Sequence, residues 1–282
     1  MLPDSHRCPS NLIPTNTFVK LILSLLNKGK FSKPVYDQPI KEFLYSLKTI
    51  KFLSIILVFC ILPAKPQNST ITDNTFYLPR SLKSGEVTHN IGLSSTKLPE
   101  DVIETDDSFL SPLFTYRLKV GILDNLLAEG SFESNIVTFS FASGLKWNHN
   151  FGDIRLSVGT DVAFWFGRLK SYGFDTGIDG WNLSPNITLG YTFPNFSVSI
   201  KSEVMLILTQ STRNGDVHTL NTYRTMAGYS LAAYIEQPLW KKNFVVIGFK
   251  ANYARFYYPL WAGFSTFDRF FFLPEFVFSF NL

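Results

Sequence analysis

Cysteine is almost missing from this chain of 282 residues: the two present, Cys8 and Cys60, both lie ahead of residue 67. The rest of the chain can therefore form no disulfide and offers no thiol ligand or nucleophile. Beyond residue 64 no unbroken apolar run approaches the ~20 residues of a membrane helix, so any insertion of the main part into a bilayer must be by strands. An excess of charge is also missing where it would matter. Residues 1–67 hold 9 Lys/Arg and 3 Asp/Glu of the chain's 26 and 22, which leaves 17 against 19 in residues 68–282 and turns the formal +4 into −2 there. That balance leaves no basic footprint for nucleic acid. No metal-ligand spacing, phosphate-binding glycine loop or nucleophile elbow occurs, so no cofactor or metal is expected.

Aromatic residues are abundant, at 16% with 28 Phe, well above ordinary soluble usage. They follow a leader of distinct character. Residues 1–46 show weak apolar clusters without a sustained period and read as unstructured or mis-annotated. Residues 47–67 place Lys48 and Lys51 before an apolar core from Phe52 to Leu62, with small and turn-forming residues after it, which is the layout of a secretory signal peptide. Methionine is absent between Met1 and Met205, so translation is expected to start at a non-Met codon near Leu47. Phe59 ahead of Cys60 argues against a lipoprotein. Asn68-Ser69-Thr70 fits the glycosylation pattern by chance. Residues 68–84 are polar, contain Pro79 and read as a periplasmic lead.

From residue 85 the chain alternates apolar and polar residues with period two. Candidate strands are Glu86–Ser95, Leu113–Ile122, Leu126–Phe132, Ile136–Asn148, Asp153–Phe166, Trp181–Phe193, Phe196–Thr209, Thr222–Leu239, Phe244–Tyr257 and the closing stretch Phe267–Leu282. One parity carries large aliphatics and aromatics, as in Val137, Phe139, Phe141, Leu145 and Trp147, or Tyr223, Ala227, Tyr229, Leu231 and Ala233. The other carries Gly, Ser, Thr, Asn and charges. Short turns at Leu123–Asn125, His149–Gly152, Pro194–Asn195 and Lys241–Asn243 alternate with longer or more polar connections at 96–112, 133–135, 167–180, 210–221 and 258–268. Segregated loop lengths, an even strand count and an apolar outer parity together specify an all-β, transmembrane up-and-down antiparallel barrel over residues 85–282, of about ten strands, with eight to twelve allowed. A soluble barrel with a ligand cavity would need the apolar parity inside.

The closing strand carries Phe270, Phe272, Phe276, Phe278, Phe280 and Leu282 on one parity, with Pro274 among them. It resembles the C-terminal signal of bacterial outer-membrane β-barrels, in which Phe276, Phe278, Phe280 and the terminal Leu282 correspond to the residues read by the assembly machinery; the usual terminal residue is Phe. The segments Thr115–Phe132 and Tyr77–Leu93 resemble hairpin and first-strand segments of small outer-membrane barrels, among them those grouped with aromatic-degradation gene clusters. The resemblance implies a porin-like outer-membrane location, contact with outer-membrane lipid, and passage through periplasmic chaperones and the barrel-assembly machinery. The oligomeric state stays open.

The inward parity places Arg117, Lys119, Lys146, Arg155, Lys201, Arg224, Lys250 and Arg269 in the lumen against Glu86, Glu129, Asp161, Glu203, Glu236 and Glu275. The bore of a ten-stranded barrel is close to the eight-stranded case that side chains fill. These charges therefore form either a narrow path for small solutes or a structural core of ion pairs. An enzymatic alternative rests on Asp216 and His218, whose Asp-x-His spacing resembles one pair of the omptin proteases, with Asp106 and Asp107 as partners across the rim; a solvated loop is the plainer reading. His89 and His149 have no placeable Ser or Glu partner. The aromatic loop Tyr258–Asp268 reads as a membrane-interface belt, with loop-mediated adhesion or binding as the alternative. The expected protein is not an enzyme.

Overall fold

A computed structural model of the chain describes residues 74–97, 110–171, 174–215, 217–240, 243–263 and 269–282. The expected leader, the signal peptide with Cys8 and Cys60, and the Asp106/Asp107 pair lie outside the described residues. The described residues all fall in one compact unit.

Ten antiparallel strands close into a barrel in sequence order, with β1 pairing β10. They are β1 Val87–Lys97, β2 Leu110–Leu123, β3 Leu126–Ser134, β4 Thr138–Phe151, β5 Ile154–Ser171, β6 Phe174–Thr192, β7 Ser197–Asn214, β8 Val217–Trp240, β9 Asn243–Ala254 and β10 Phe271–Asn281. A short 3-10 turn, Tyr258–Gly263, follows β9. Closure leaves no strand edge unpaired, the condition for crossing a hydrocarbon layer by strands.

Alternation sets which face is which. On β4, Phe141, Leu145 and Trp147 are 51%, 53% and 47% exposed, while Ser140, Lys146 and Asn148 between them are 3%, 4% and 2% exposed. The same outward apolar series continues through Ile187, Leu189, Leu231, Phe249, Phe276 and Phe278. A surface so uniformly apolar outside and polar within matches lipid, and the barrel is a transmembrane one. Phe276, Phe278, Phe280 and Leu282 all stand on this outer parity. Pro274 pairs Ala251 without a register shift and lies one residue past the final β1–β10 pair, Thr96 with Glu275, at the ragged end of that ladder.

Two connections expected as loops are strand instead. The 167–180 stretch continues β5 and β6, with Arg168 paired to Gly177 and Ser171 to Phe174. The 210–221 stretch pairs β7 with β8 up to Asn214 and Val217, turning at Gly215 with φ +59°. β5 to β8 run 18 to 24 residues, against 9 to 12 for β1, β3, β9 and β10. Roughly 9–11 residues suffice to cross a bilayer, so the four long strands stand above it at the loop end. Strict alternation also breaks, on β7 where Leu208 is an extra residue between the pairs Asn182–Ile207 and Trp181–Thr209, and again on β8. β8 carries an extra residue at Ala227, between the pairs Leu206–Met226 and Met205–Gly228, and this bulge turns Ala227 from the expected lipid face into the interior, where it is fully buried.

Candidate functional site

The interior is built in three layers, and the sequence pattern announces only the middle one.

At the turn end, residues 74–86 run into the barrel ahead of β1. Thr75, Phe76, Tyr77, Leu78 and Leu82 are buried there. Glu236, near the end of β8 and itself fully buried, holds this segment with both oxygens: Oε1 accepts the Phe76 N–H at 2.7 Å and Oε2 the Leu78 N–H at 2.6 Å. Asn281 donates to Glu236 Oε1 at 2.9 Å and to the Asn74 carbonyl at 3.2 Å, tying the last strand to the same point. Lys119 donates to the Phe76 carbonyl at 2.5 Å and lies over the Phe76 ring. The Tyr77 ring stacks on Tyr234 with centroids 4.0 Å apart. A side chain at Gly190 would run into Leu78, its Cβ lying 2.5 Å from Leu78 Cδ1, so the wall leaves room for this plug by omitting one.

The middle layer holds the charges. Lys146 donates to Asp161 at 2.5 Å and to Asn186 at 2.9 Å. Lys201 pairs with Glu203 at 2.8 Å and reaches Asp161 at 4.0 Å, while Lys250 reaches Glu203 at 3.8 Å. Lys119 faces Glu129 at 4.0 Å, and Arg117 pairs with Glu133 at 3.0 Å. Glu275 accepts from the Tyr257 hydroxyl at 2.7 Å and from Asn252 at 3.3 Å. Two small cavities lie among these groups, of about 30 Å³ beside the plug and about 90 Å³ above it. Both are lined by Arg117, Glu129, Lys201 and Tyr234, so they meet at one ring. A water needs roughly 10–15 Å³ of such space, so these are chambers for a few waters.

At the loop end an apolar cap closes the barrel. Trp165, Ile178, Ile207 and Ala227 point inward and pack with Phe256, Tyr258 and Trp261 from the chain after β9. Trp261 Nε1 donates to Thr138 Oγ1 at 2.7 Å, and the Tyr258 hydroxyl donates to Glu133. Cβ on Gly167 would lie 2.4 Å from Trp261 Nε1. Tyr258 and Trp261 are therefore lumen cap residues and not part of a membrane-interface belt; the lumen-facing Gly and Ala positions of β5 and β8 leave space that only folded-back rings fill. Burial, followed by the adjacent Glu275 carboxylate, pushes the Tyr257 phenol well above its ordinary value; burial and Glu133 do the same for Tyr258.

Of the sequence-predicted lumen residues, Arg117, Lys119, Glu129, Lys146, Asp161, Lys201, Glu203 and Lys250 come together in the middle layer. Glu236 lies at the plug, Glu275 beneath the cap, and Arg155 near the turn end of β5. Glu86 precedes β1 and pairs with Arg80 at the turn-end rim at 3.0 Å. Arg269 precedes β10 and is exposed, lying over the Phe271 ring; it belongs to the loop-end rim. The Arg224 side chain lies outside the described residues, as do Asp216 and the side chain of His218, whose β8 backbone pairs with Arg213 of β7. Elsewhere His89 contacts the Tyr116 hydroxyl through Nδ1 at 2.7 Å, and His149 stacks on Trp147 and meets Phe151 edge-on. Among the described residues no group of three or more His, Cys, Asp or Glu could hold a metal ion. Sequence reasoning missed Glu133, assigned to a loop, and the cap ring Trp165. It also missed the plug, although Phe76-Tyr77-Leu78 is a bulky apolar triplet within an otherwise polar lead.

The site is thus the closed lumen of a transmembrane β-barrel. No protein-family model matches the chain, and no curated protein matches it in sequence. Among solved structures it is similar to Neisserial surface protein A at 10% identity, covering 70% of this chain and 96% of that one with a TM-score of 0.36. An outer membrane channel from Pseudomonas putida F1 matches at 11% identity over 76% and 100%, TM-score 0.38. Outer membrane phospholipase A from Escherichia coli matches at 9% identity over 77% and 94%, TM-score 0.32. At such identities these are likenesses of fold, and they span a surface protein, a channel and an enzyme.

Proposed function

We propose that the chain is a non-enzymatic outer-membrane barrel whose lumen is a gated passage for small polar solutes, closed at rest by the 74–82 plug and the aromatic cap. The observation that carries this reading is the middle layer: six ion pairs around two adjoining water-sized chambers that meet at Arg117, Glu129, Lys201 and Tyr234. A buried ion-pair network is a poor device for stability, because desolvation offsets most of the attraction and apolar packing of equal volume does as well or better. Hydrated charges in the middle of a membrane serve transit better than they serve cohesion. The closures flank this layer and differ from it in kind. The plug is no strand of the barrel; it hangs on Glu236, Lys119 and the Tyr77–Tyr234 stack.

Proteoliposome swelling tests the reading. Barrels of wild-type sequence should admit small zwitterions slowly, and the Tyr77→Ala variant, which strips the plug of its stack, should admit them faster with the same size cut-off. Equal and negligible swelling for both, with the barrel folded by heat-modifiability, would assign the charges to a structural core.

A further inference from the structure

The outer face of the protruding β5–β7 sheet carries a charge arrangement that the lumen does not explain. Ladder pairing lays its outward residues in rows. The lowest row is Phe164, Trp181 and Thr209, and the next is Phe166, Asp179 and Ser211. Above these come Arg168, Gly177 and Arg213, and then Lys170 beside Asp175. Phe164 and Trp181 are in ring contact at 5.0 Å, and Phe164 and Phe166 at 5.8 Å, so the two lower rows form part of the aromatic girdle. The cations begin one row higher. At about 3.4 Å rise per residue, Arg168 and Arg213 stand roughly 7 Å beyond Phe166 along the strand, and Lys170 as much again. With strands tilted about 35–45°, this puts the arginines roughly 5 Å and Lys170 roughly 10 Å above the girdle. The arginines therefore stand in the headgroup zone, which adds about 5–8 Å on each side of the hydrocarbon, and Lys170 at its outer edge.

The local geometry is that of an open cradle. Arg168 is 68% and Lys170 75% exposed at the side chain. Asp175 takes Nε and Nη2 of Arg168 in a fork at 3.0 and 2.9 Å, which fixes that guanidinium and leaves Nη1 outside the fork, and Lys170 Nζ lies 4.0 Å from the same carboxylate. Gly177, paired with both arginines, has no side chain to separate them. A Cβ there would meet Arg213 Nη2 at 3.6 Å and Nε at 3.7 Å, so the Arg213 guanidinium lies across the glycine. Three cations face two carboxylates, Asp175 and Asp179, and Asp179 is a row lower, beside Phe166.

We propose that Arg168, Lys170 and Arg213 form a binding site for the phosphate of a lipid headgroup in the leaflet at the loop end. Planar guanidinium groups suit a phosphate through paired N–H donors, and Lys170 adds a point charge. A lipid, and not free phosphate, is the occupant because the cations stand directly over the girdle in the same columns. The acyl chains of that lipid would lie against Phe164, Phe166 and Trp181. The inference rests on the membrane-spanning fold and is independent of whether the lumen conducts.

The test is native mass spectrometry of the full barrel released from maltoside micelles, which carry no phosphate, loaded with either bisphosphorylated lipid A or its dephosphorylated form. Wild type should retain the phosphorylated lipid about tenfold in preference. The triple variant R168Q/K170Q/R213Q should lose that preference, and K83Q, which removes an exposed cation at the turn end, should keep it. If the triple variant fails to show the heat-shifted band of a folded barrel, R213Q alone, whose side chain lies outside the Arg168–Asp175 fork, is read the same way. An unchanged preference in the variant overturns the proposal. So does full competition by inorganic phosphate, which would mark a site for free anions.

Discussion

Glu236→Gln isolates the plug from the wall. The carboxylate accepts from Phe76 N–H, Leu78 N–H and Asn281 through two oxygens. An amide of the same shape has one oxygen, so whichever way it is turned, one of the two backbone N–H groups faces an NH₂. Hydrogen bonds to a charged group contribute about 1.5–3 kcal/mol, and a buried N–H left without an acceptor costs about 1–3 kcal/mol. Part of this is regained by relaxation, which sets the loss of plug docking at roughly 2–3 kcal/mol. With about 1.4 kcal/mol per factor of ten, the undocked population should grow ~30–150-fold. Native-state hydrogen exchange reads this directly at the Phe76 and Leu78 amides. Both should exchange faster by that factor while ladder amides of β4 and β9 keep their rates. Unchanged exchange at residues 76 and 78 would refute the claim that Glu236 holds the plug. Faster exchange throughout the barrel would show that Glu236 supports the wall instead.

Other perturbations bear on the closures and the outer face. Gly190→Val should push Leu78 out of its seat and pull its N–H away from Glu236, and limited proteolysis should then cut within residues 74–86 of an otherwise intact barrel. Phe276→Arg, on the lipid face, should cost about 2–4 kcal/mol if it lies at mid-bilayer, read as a lower urea midpoint for refolding into vesicles. The cap should respond to alkali. The Tyr257 and Tyr258 phenols are raised above the ordinary 10.0 by burial and by Glu275 and Glu133, so their contribution is fully present below pH 10 and is lost as pH climbs through the raised values. Solute entry should therefore be flat from neutrality to pH 10 and increase above it. Replacing both tyrosines by Phe should flatten the rise.

The barrel was legible because lipid demands an apolar residue at every outward position. That demand leaves a period of two along the strands, broken at the bulges of β7 and β8, with the closing run of Phe276, Phe278 and Phe280 as its clearest stretch. Above the bilayer the demand ceases. Gly167–Gly180 and Gln210–Asn221 lose the period and read as loops, although their backbones go on pairing. A bulge adds a residue without changing composition, which is why Ala227 was assigned to the wrong face. Lumen charges could be picked out by parity, but which of them meet could not, since Lys201, Asp161 and Lys146 come from three separate strands. Plug and cap were hidden for a further reason. The plug and half of the cap lie outside the strands, and Leu78 and Trp261 are placed by long-range packing into gaps left at Gly190 and Gly167.

Single-channel recording of the Glu236→Gln barrel in a planar bilayer, with and without Lys201→Glu, tests the gated lumen most directly. The account predicts brief, salt-dependent openings that are rare in wild type and frequent in Glu236→Gln, with ion preference shifting toward cations when Lys201 is reversed. A folded Glu236→Gln barrel that stays silent, or one whose currents ignore the charge at Lys201, would contradict it.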